Sequence, residues 1–249
     1  MREVTITFAG SGDAFGSGGR LQACIHLRAG SDPAVLLDCG ATALVGLKRL
    51  GLEPNEVGTV VLSHLHGDHF AGVPYLILDG QFRRRTGDLD VVGPPGTEER
   101  LRQAMEVLFP GASGIERRFE VRVHEVEPGS SAKVEGLLVT AFRADHFAGD
   151  PSLSLRLELG GRVIGYSGDT AWTTELRLVA MDTDLFICEG YSASRRKPFH
   201  LHLPDLDTHL DKQGLDCQRI ILTHPSEEVL AMRAQLGIEL ADDGTVLKL

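Results

Sequence analysis

Short runs of apolar and β-branched residues recur along the whole chain, and their period sets the first expectation. Residues 4–9, 23–28, 34–38, 59–63, 89–92, 118–126, 133–143, 152–159, 162–167, 185–188, 219–223 and 244–248 read as strands bounded by Gly, Pro or Asp turns. Apolar residues at helical spacing mark 42–50, 72–84, 97–109, 173–181, 203–213 and 227–236. The helical patterns are scattered among the strands, and no Ser-, Pro- or charge-rich linker divides the sequence. One mixed α/β domain spanning 1–249, with helices covering sheet faces, is therefore expected. Its 249 residues are enough for one sizeable core.

Composition narrows the setting. Apolar residues make up 42% and charged residues 24%, ordinary values for a soluble domain, and no apolar run approaches the ~20 residues of a membrane span. The first eight residues alternate polar and apolar like a strand, without the continuous apolar core of a signal peptide. Cys24, Cys39, Cys188 and Cys217 are isolated, with no Cys-x-x-Cys pair. They read as small core residues of a reduced, cytoplasmic protein without disulfides. Acidic residues outnumber basic ones by 35 to 25, a formal charge of -10, so long nucleic acids are repelled overall and any contact with them must be local.

The chemistry begins where one apolar strand ends, at Ser63-His64-Leu65-His66-Gly67-Asp68-His69. An extended backbone sends His64 and His66 to the same side, and Gly67 permits a sharp turn that aims Asp68 and His69 at a second point. Other strand ends repeat this grammar: Asp145-His146 after 137–142, Ser167-Gly168-Asp169-Thr170 after 163–166, and Thr223-His224 after 220–222. Each has a plain alternative by itself. The His-rich run can be a solvated loop, Asp169 a helix N-cap, and His146 or His224 a packed or capping residue. Together they close a count: His64, His66 and His146 for one ion, Asp68, His69 and His224 for another, and Asp169 as a bridge. Nitrogen and oxygen donors of this kind suit zinc, manganese or iron and leave positions open for exchangeable water.

These motifs, in this order, resemble the metallo-beta-lactamase-fold hydrolase superfamily along the whole chain, with Leu37-Asp38-Cys39-Gly40 similar to its earlier strand-end Asp-x-Gly element. The resemblance implies a four-layer αββα sandwich with two divalent ions at one sheet edge. Two further segments, Asp184-Leu185-Phe186-Ile187-Cys188-Glu189-Gly190 and Phe199-His200-Leu201-His202-Leu203-Pro204, resemble the ribonuclease Z and phosphodiesterase branch. That branch implies His200 at the scissile phosphate with Glu189 as its orienting partner, His202 being the alternative register. It also implies Asp68 orienting a bridging hydroxide as well as holding metal, and a homodimer. The expected function is a binuclear metal-dependent phosphodiesterase for a small or cyclic phosphodiester. Carbonyl-ester hydrolysis on the same fold (lactonase, thioesterase or beta-lactamase-like), a ribonuclease Z-like endonuclease, and a non-catalytic metal-binding module are the alternatives.

Substrate size is read from what is short. Only 147–161 separates His146 from the 162–167 strand, where ribonuclease Z carries a long arm for transfer RNA, which together with the acidic charge points to a smaller substrate. The Gly-rich segment 9–20 resembles the branch's first turn, lacks the Lys-Ser/Thr of a phosphate loop, and reads as a flexible loop bordering the pocket, with Arg20 a structural candidate. Arg83-Arg84-Arg85 reads as solvated helix and loop ends. Arg195-Arg196-Lys197, next to His200, is a candidate phosphate contact.

Overall fold

The computed structural model describes residues 2–148, 151–213 and 215–249, with side chains except at 209–213. The first half of the chain supplies β1 (Val4–Gly10), β2 (Cys24–Ala29), β3 (Ala34–Leu37), α1 (Ala43–Arg49), β4 (Val57–Val61), α2 (Gly67–Phe70), α3 (Val73–Phe82), β5 (Leu89–Gly93), α4 (Thr97–Leu108) and β6 (Val121–Glu125). The second half supplies β7 (Ser131–Val134), β8 (Leu137–Ala144), β9 (Ser152–Leu159), β10 (Arg162–Tyr166), α5 (Leu176–Ala180), β11 (Leu185–Glu189), α6 (Leu203–Gln213), β12 (Ile220–Thr223), α7 (Glu227–Ala231), β13 (Glu239–Leu240) and β14 (Val246–Lys248). They form two seven-stranded sheets, ordered β14-β1-β2-β3-β4-β5-β6 and β13-β12-β11-β10-β9-β8-β7.

Strand alternation dictates the layering. Ile6, Phe8, Leu27 and Val61 of the first sheet meet Leu155, Leu157, Ile164, Ile187 and Ile221 of the second in one apolar core between the sheets. The opposite face of the first sheet (Leu36, Val60, Leu62) packs on Leu47, Leu76, Ile77 and Leu101 of α1, α3 and α4. The opposite face of the second (Phe186, Cys188, Leu222) packs on Leu176, Val179, Leu206 and Val229 of α5, α6 and α7. This is the four-layer αββα sandwich expected from the sequence. Strands β3 to β6 run parallel in one sheet and β10 to β13 in the other. Parallel strands joined by helical crossovers bring their carboxyl ends to one edge, where open α/β sheets hold ligands.

Several boundaries differ from the sequence pattern. The expected strand 133–143 is a hairpin, β7 paired antiparallel with β8, because Glu135 and Gly136 turn the chain at φ 45° and 84°. Residues 118–126 shorten to β6, 227–236 divides into α7 and a 3-10 turn at Arg233–Gln235, and the two-residue β13 carries no periodic signal. Arg85 is neither solvated nor near the site. It is buried, and its guanidinium donates to the carbonyls of Val57, Gly87 and Asp88, fastening the approaches to β4 and β5. No helix among the described residues is long and apolar enough to cross a membrane.

One buried group outside the site sets an acid sensitivity. His26 lies on β2 opposite Thr7 and Leu36, and burial beside Arg28 lowers its imidazole to about 4. The unfolded chain, with a histidine near 6.5, then binds more protons between these values, so stability is full above pH 6.5 and is lost as pH falls toward 4. Between pH 7 and pH 5 this one group costs about 2 kcal/mol. Urea unfolding of the His26→Gln variant is expected to lose correspondingly less stability over that interval.

Candidate metal centre and active site

The C-terminal ends of β3, β4, β8, β10, β11 and β12 deliver Asp38, His64 to His69, His146, Asp169, Glu189 and His224 to one edge of the sandwich. His66 is extended (φ -69°, ψ 153°), so His64 and His66 do face one way, with ring centroids 4.9 Å apart. Gly67 differs from the expected sharp turn. It opens the short helix α2, and a β-carbon there would meet only Ala71, at 3.8 Å. The glycine that geometry does require is Gly168, at φ +57°, where a β-carbon would lie 2.8 Å from the Leu153 carbonyl and 2.9 Å from Ser63. This close approach brings Asp169 against the β4 loop.

The predicted ligands assemble into two groups of donors. His64, His66 and His146 form one; Asp68, His69, Asp169 and His224 form the other, each with ligating atoms within 4.8 Å of one another. His66 Nδ1 and His146 Nε2 stand 3.1 Å apart, and His69 Nε2 and His224 Nε2 stand 3.3 Å apart. Asp169 lies between the groups, 3.4 Å from His69 Nε2, 3.5 Å from His224 Nε2 and 3.9 Å from His146 Nε2.

The far sides of the rings decide which nitrogens are free to ligate. His69 Nδ1–H donates to Asp38 Oδ2 at 2.7 Å, and His146 Nδ1–H donates to the Phe199 carbonyl at 2.8 Å. Ser63 Oγ donates to Asp38 Oδ2 at 2.8 Å and thereby accepts from His64 Nδ1–H at 3.0 Å. In the neutral rings each Nε2 is then a bare lone pair turned inward. His64 Nε2 and Asp169 Oδ1 are buried without any hydrogen-bond partner. Converging nitrogen and oxygen lone pairs, two of them buried without a partner, are costly unless a cation sits among them, so the residues fit divalent metal.

Charge and burial oppose each other across the cluster. Burial pulls His64 down, helped by neighbouring His69. At His69 and His224 burial acts the same way but is outweighed, by Asp169, Asp38 and Asp68 for the first and by Asp169 and the Asp68 hydrogen bond for the second, so both are raised. Burial would raise Asp68 and Asp169, yet the facing histidines hold both carboxyls low. A cation arriving there displaces protons from the raised histidines.

Beside the donors stands the pair expected from the sequence. His200 Nδ1 lies 3.1 Å from Glu189 Oε2, and 3.9 Å from Asp169 Oδ2. Glu189 is fully buried, and burial together with Asp169 pushes its carboxyl up, while burial pulls His200 down. His202 makes no hydrogen bond to Glu189; it lines, together with His200, Trp172, Arg196, Lys197 and Phe199, an adjoining cavity of about 540 Å³. A second cavity of about 550 Å³ opens beside His146, between Phe147, Thr173 and Phe199. Arg195, Arg196 and Lys197 are exposed, Arg196 pairing with Asp205; Arg20 pairs with Asp242 away from the donors.

Three groups were not assigned a role from the sequence. Asp38 accepts from Ser63 N, Ser63 Oγ, His69 Nδ1 and Tyr166 Oη, all at 2.7–2.8 Å. Tyr191 stacks on the His200 ring at 4.2 Å between centroids. The Phe199 carbonyl anchors His146. The Leu37-Asp38-Cys39-Gly40 element was the only available signal for the first; the others arise from tertiary contact.

The chain has clear relatives. A ribonuclease Z from Methanothermobacter thermautotrophicus is 33% identical over 143 residues, 57% of this chain and 45% of that protein. The chain spans about half the length of the first curated relatives it matches, 45% and 48% of them. The crystal structure of human tRNase Z, short form, is 25% identical with a TM-score of 0.78, covering 98% of each chain. The Bacillus subtilis metallo-beta-lactamase fold protein YhfI superposes over 100% of both chains with a TM-score of 0.79 at 16% identity, a likeness of fold. The sandwich is that of the metallo-beta-lactamase superfamily, and within it residues 4–244 match the family described as Anti-Pycsar protein Apyc1, to which this chain belongs.

Proposed function

We propose that this chain is a binuclear metal-dependent phosphodiesterase acting on a small or cyclic phosphodiester. The observation that carries it is the pair of half-buried His200 and buried Glu189 placed beside two groups of metal donors. A departing alkoxide needs a proton, and this pair is where one can be held. His64, His66 and His146 would hold one ion, and Asp68, His69 and His224 the other, with Asp169 reaching both. Zinc is the proposed metal, manganese and iron being suited to the same donors. Bound divalent ions would lower the pKa of water toward ~7 and neutralise charge building at phosphorus.

The chain's own residues supply the rest. Asp68 orients the attacking water with a carboxylate that its neighbouring histidines keep ionised. The raised Glu189 and lowered His200 place the pair's proton on the carboxyl, leaving His200 with its other N–H toward the substrate. As the leaving oxygen takes that proton, Glu189 returns one to Nδ1. Tyr191 keeps the imidazole plane fixed during the transfer. The single domain over 1–249, a homodimer and a cytoplasmic setting belong to the same reading.

Substrate size follows from the surroundings. Cavities of about 540 and 550 Å³ flank His200 and His146, room for a mononucleotide-sized ligand. The formal charge of -10 opposes long RNA. A ribonuclease Z-like endonuclease is the second reading, favoured by the relatives bearing that name. Incubating zinc-loaded protein separately with a cyclic mononucleotide and a precursor transfer RNA distinguishes them. Ring opening to a monoester with intact RNA is expected; cleaved RNA with inert cyclic nucleotide establishes the second reading instead.

A further inference from the structure

The turn preceding His200 holds an unusual residue. His200 N–H donates to the Lys197 carbonyl at 3.3 Å, with Pro198 second and Phe199 third in the turn. Phe199 has φ +66°, in the left-handed region. Turns with proline second and positive φ third ordinarily place Gly or Asn there, because the β-carbon of a bulky side chain crowds the backbone in that conformation.

Two site contacts depend on this conformation. The Phe199 carbonyl, aimed by it, accepts from His146 Nδ1–H at 2.8 Å and so turns Nε2 toward His66. The next residue, His200, is presented to Glu189 at 3.1 Å. The phenyl ring, 6.2 Å between centroids from that of Phe147, forms a wall shared by the two flanking cavities. The strained residue thus joins a candidate ligand, the candidate proton donor and the substrate space within one turn.

We propose that the Lys197–His200 turn is the positioning element of this site, with left-handed Phe199 orienting His146 through its carbonyl and His200 through the chain. The inference rests on the metal-binding reading above. Two variants that both remove the ring separate backbone from side chain. Phe199→Asn retains a residue suited to positive φ, whereas Phe199→Val introduces a β-branched residue that strongly resists it.

Zinc affinity is measured by competition with a chromophoric chelator, so the readout does not depend on which substrate is turned over. The Asn variant is expected to bind within about threefold of wild type and the Val variant about 10-fold or more weaker, the scale of losing an outer partner of a ligating histidine. Phe199→Ala, with a smaller backbone penalty than Val, is expected between them and serves if the Val variant does not fold. Equal affinities across Asn, Ala and Val on a zinc-binding wild type would overturn this inference alone. A wild-type protein that takes up no ion would overturn it together with the proposed function.

Discussion

Asp169→Ala is expected to empty the centre: purified protein retains less than one ion per chain, and phosphodiester turnover falls by roughly 10³ or more, since loss of metal assistance removes several kcal/mol of transition-state stabilisation. The reason is its position. Asp169 is buried between the two donor groups, with His69 and His224 within 3.5 Å and His146 at 3.9 Å. It is the carboxylate within reach of ligands from both groups. Removing it leaves histidine lone pairs facing one another with less negative charge to hold a cation. Elemental analysis of the purified variant checks this; two ions retained at full occupancy would show that Asp169 is dispensable to both.

His200→Ala has the opposite signature, with ions kept and turnover lost. Its Nδ1 bonds Glu189, and although it also stands within ligating distance of His146 and Asp169 it belongs to neither group proposed to hold the two ions, so its removal is expected to leave metal content at the wild-type value. A positioned acid contributes about 10² to 10⁴ in rate, and kcat is expected to fall within that range. The loss should be smaller for a substrate with a p-nitrophenolate leaving group, which departs without a proton, than for an alkyl diester. His202→Ala, whose ring nitrogens make no hydrogen bond to Glu189, should leave kcat nearly unchanged. If His202→Ala alone abolishes turnover, the proton donor is two residues further along the chain.

The two expectations show where the sequence was legible. His64 to His69 could be read because the donors lie within one strand end, where local geometry alone brings their side chains together. His146, Asp169 and His224 could be read because each follows an apolar strand; β10, β11 and β12 run parallel, and β8, antiparallel to β9 as β10 is, ends at the same edge. Glu189 and His200 required resemblance to a known branch, since nothing in their spacing announces a pair.

The supports of the site were hidden for a different reason. Asp38 gathers Ser63, His69 and Tyr166 across separations of 25, 31 and 128 residues, so its role depends on how the two sheets are stacked. Phe199 acts through a carbonyl, which every residue possesses, and its positive φ cannot be read from the letter F. Arg85 stands in a surface-like charge run, but its guanidinium is satisfied by carbonyls at the entry to β4 (Pro54, Val57) and just before β5 (Gly87, Asp88). The β7–β8 hairpin is hard to see in the sequence because its turn is only Glu135-Gly136, a two-residue break inside an otherwise strand-like run.

The central claim is that the paired His200 and Glu189 commit this metal centre to phosphorus rather than carbonyl chemistry. The direct measurement is the steady-state turnover of zinc-loaded protein on a cyclic mononucleotide, whose leaving group is an alkoxide, and on lactone, thioester and β-lactam substrates under one set of conditions. The account predicts a kcat/KM for the phosphodiester at least about 100-fold above any carbonyl substrate. A carbonyl substrate turned over faster than the phosphodiester would contradict it.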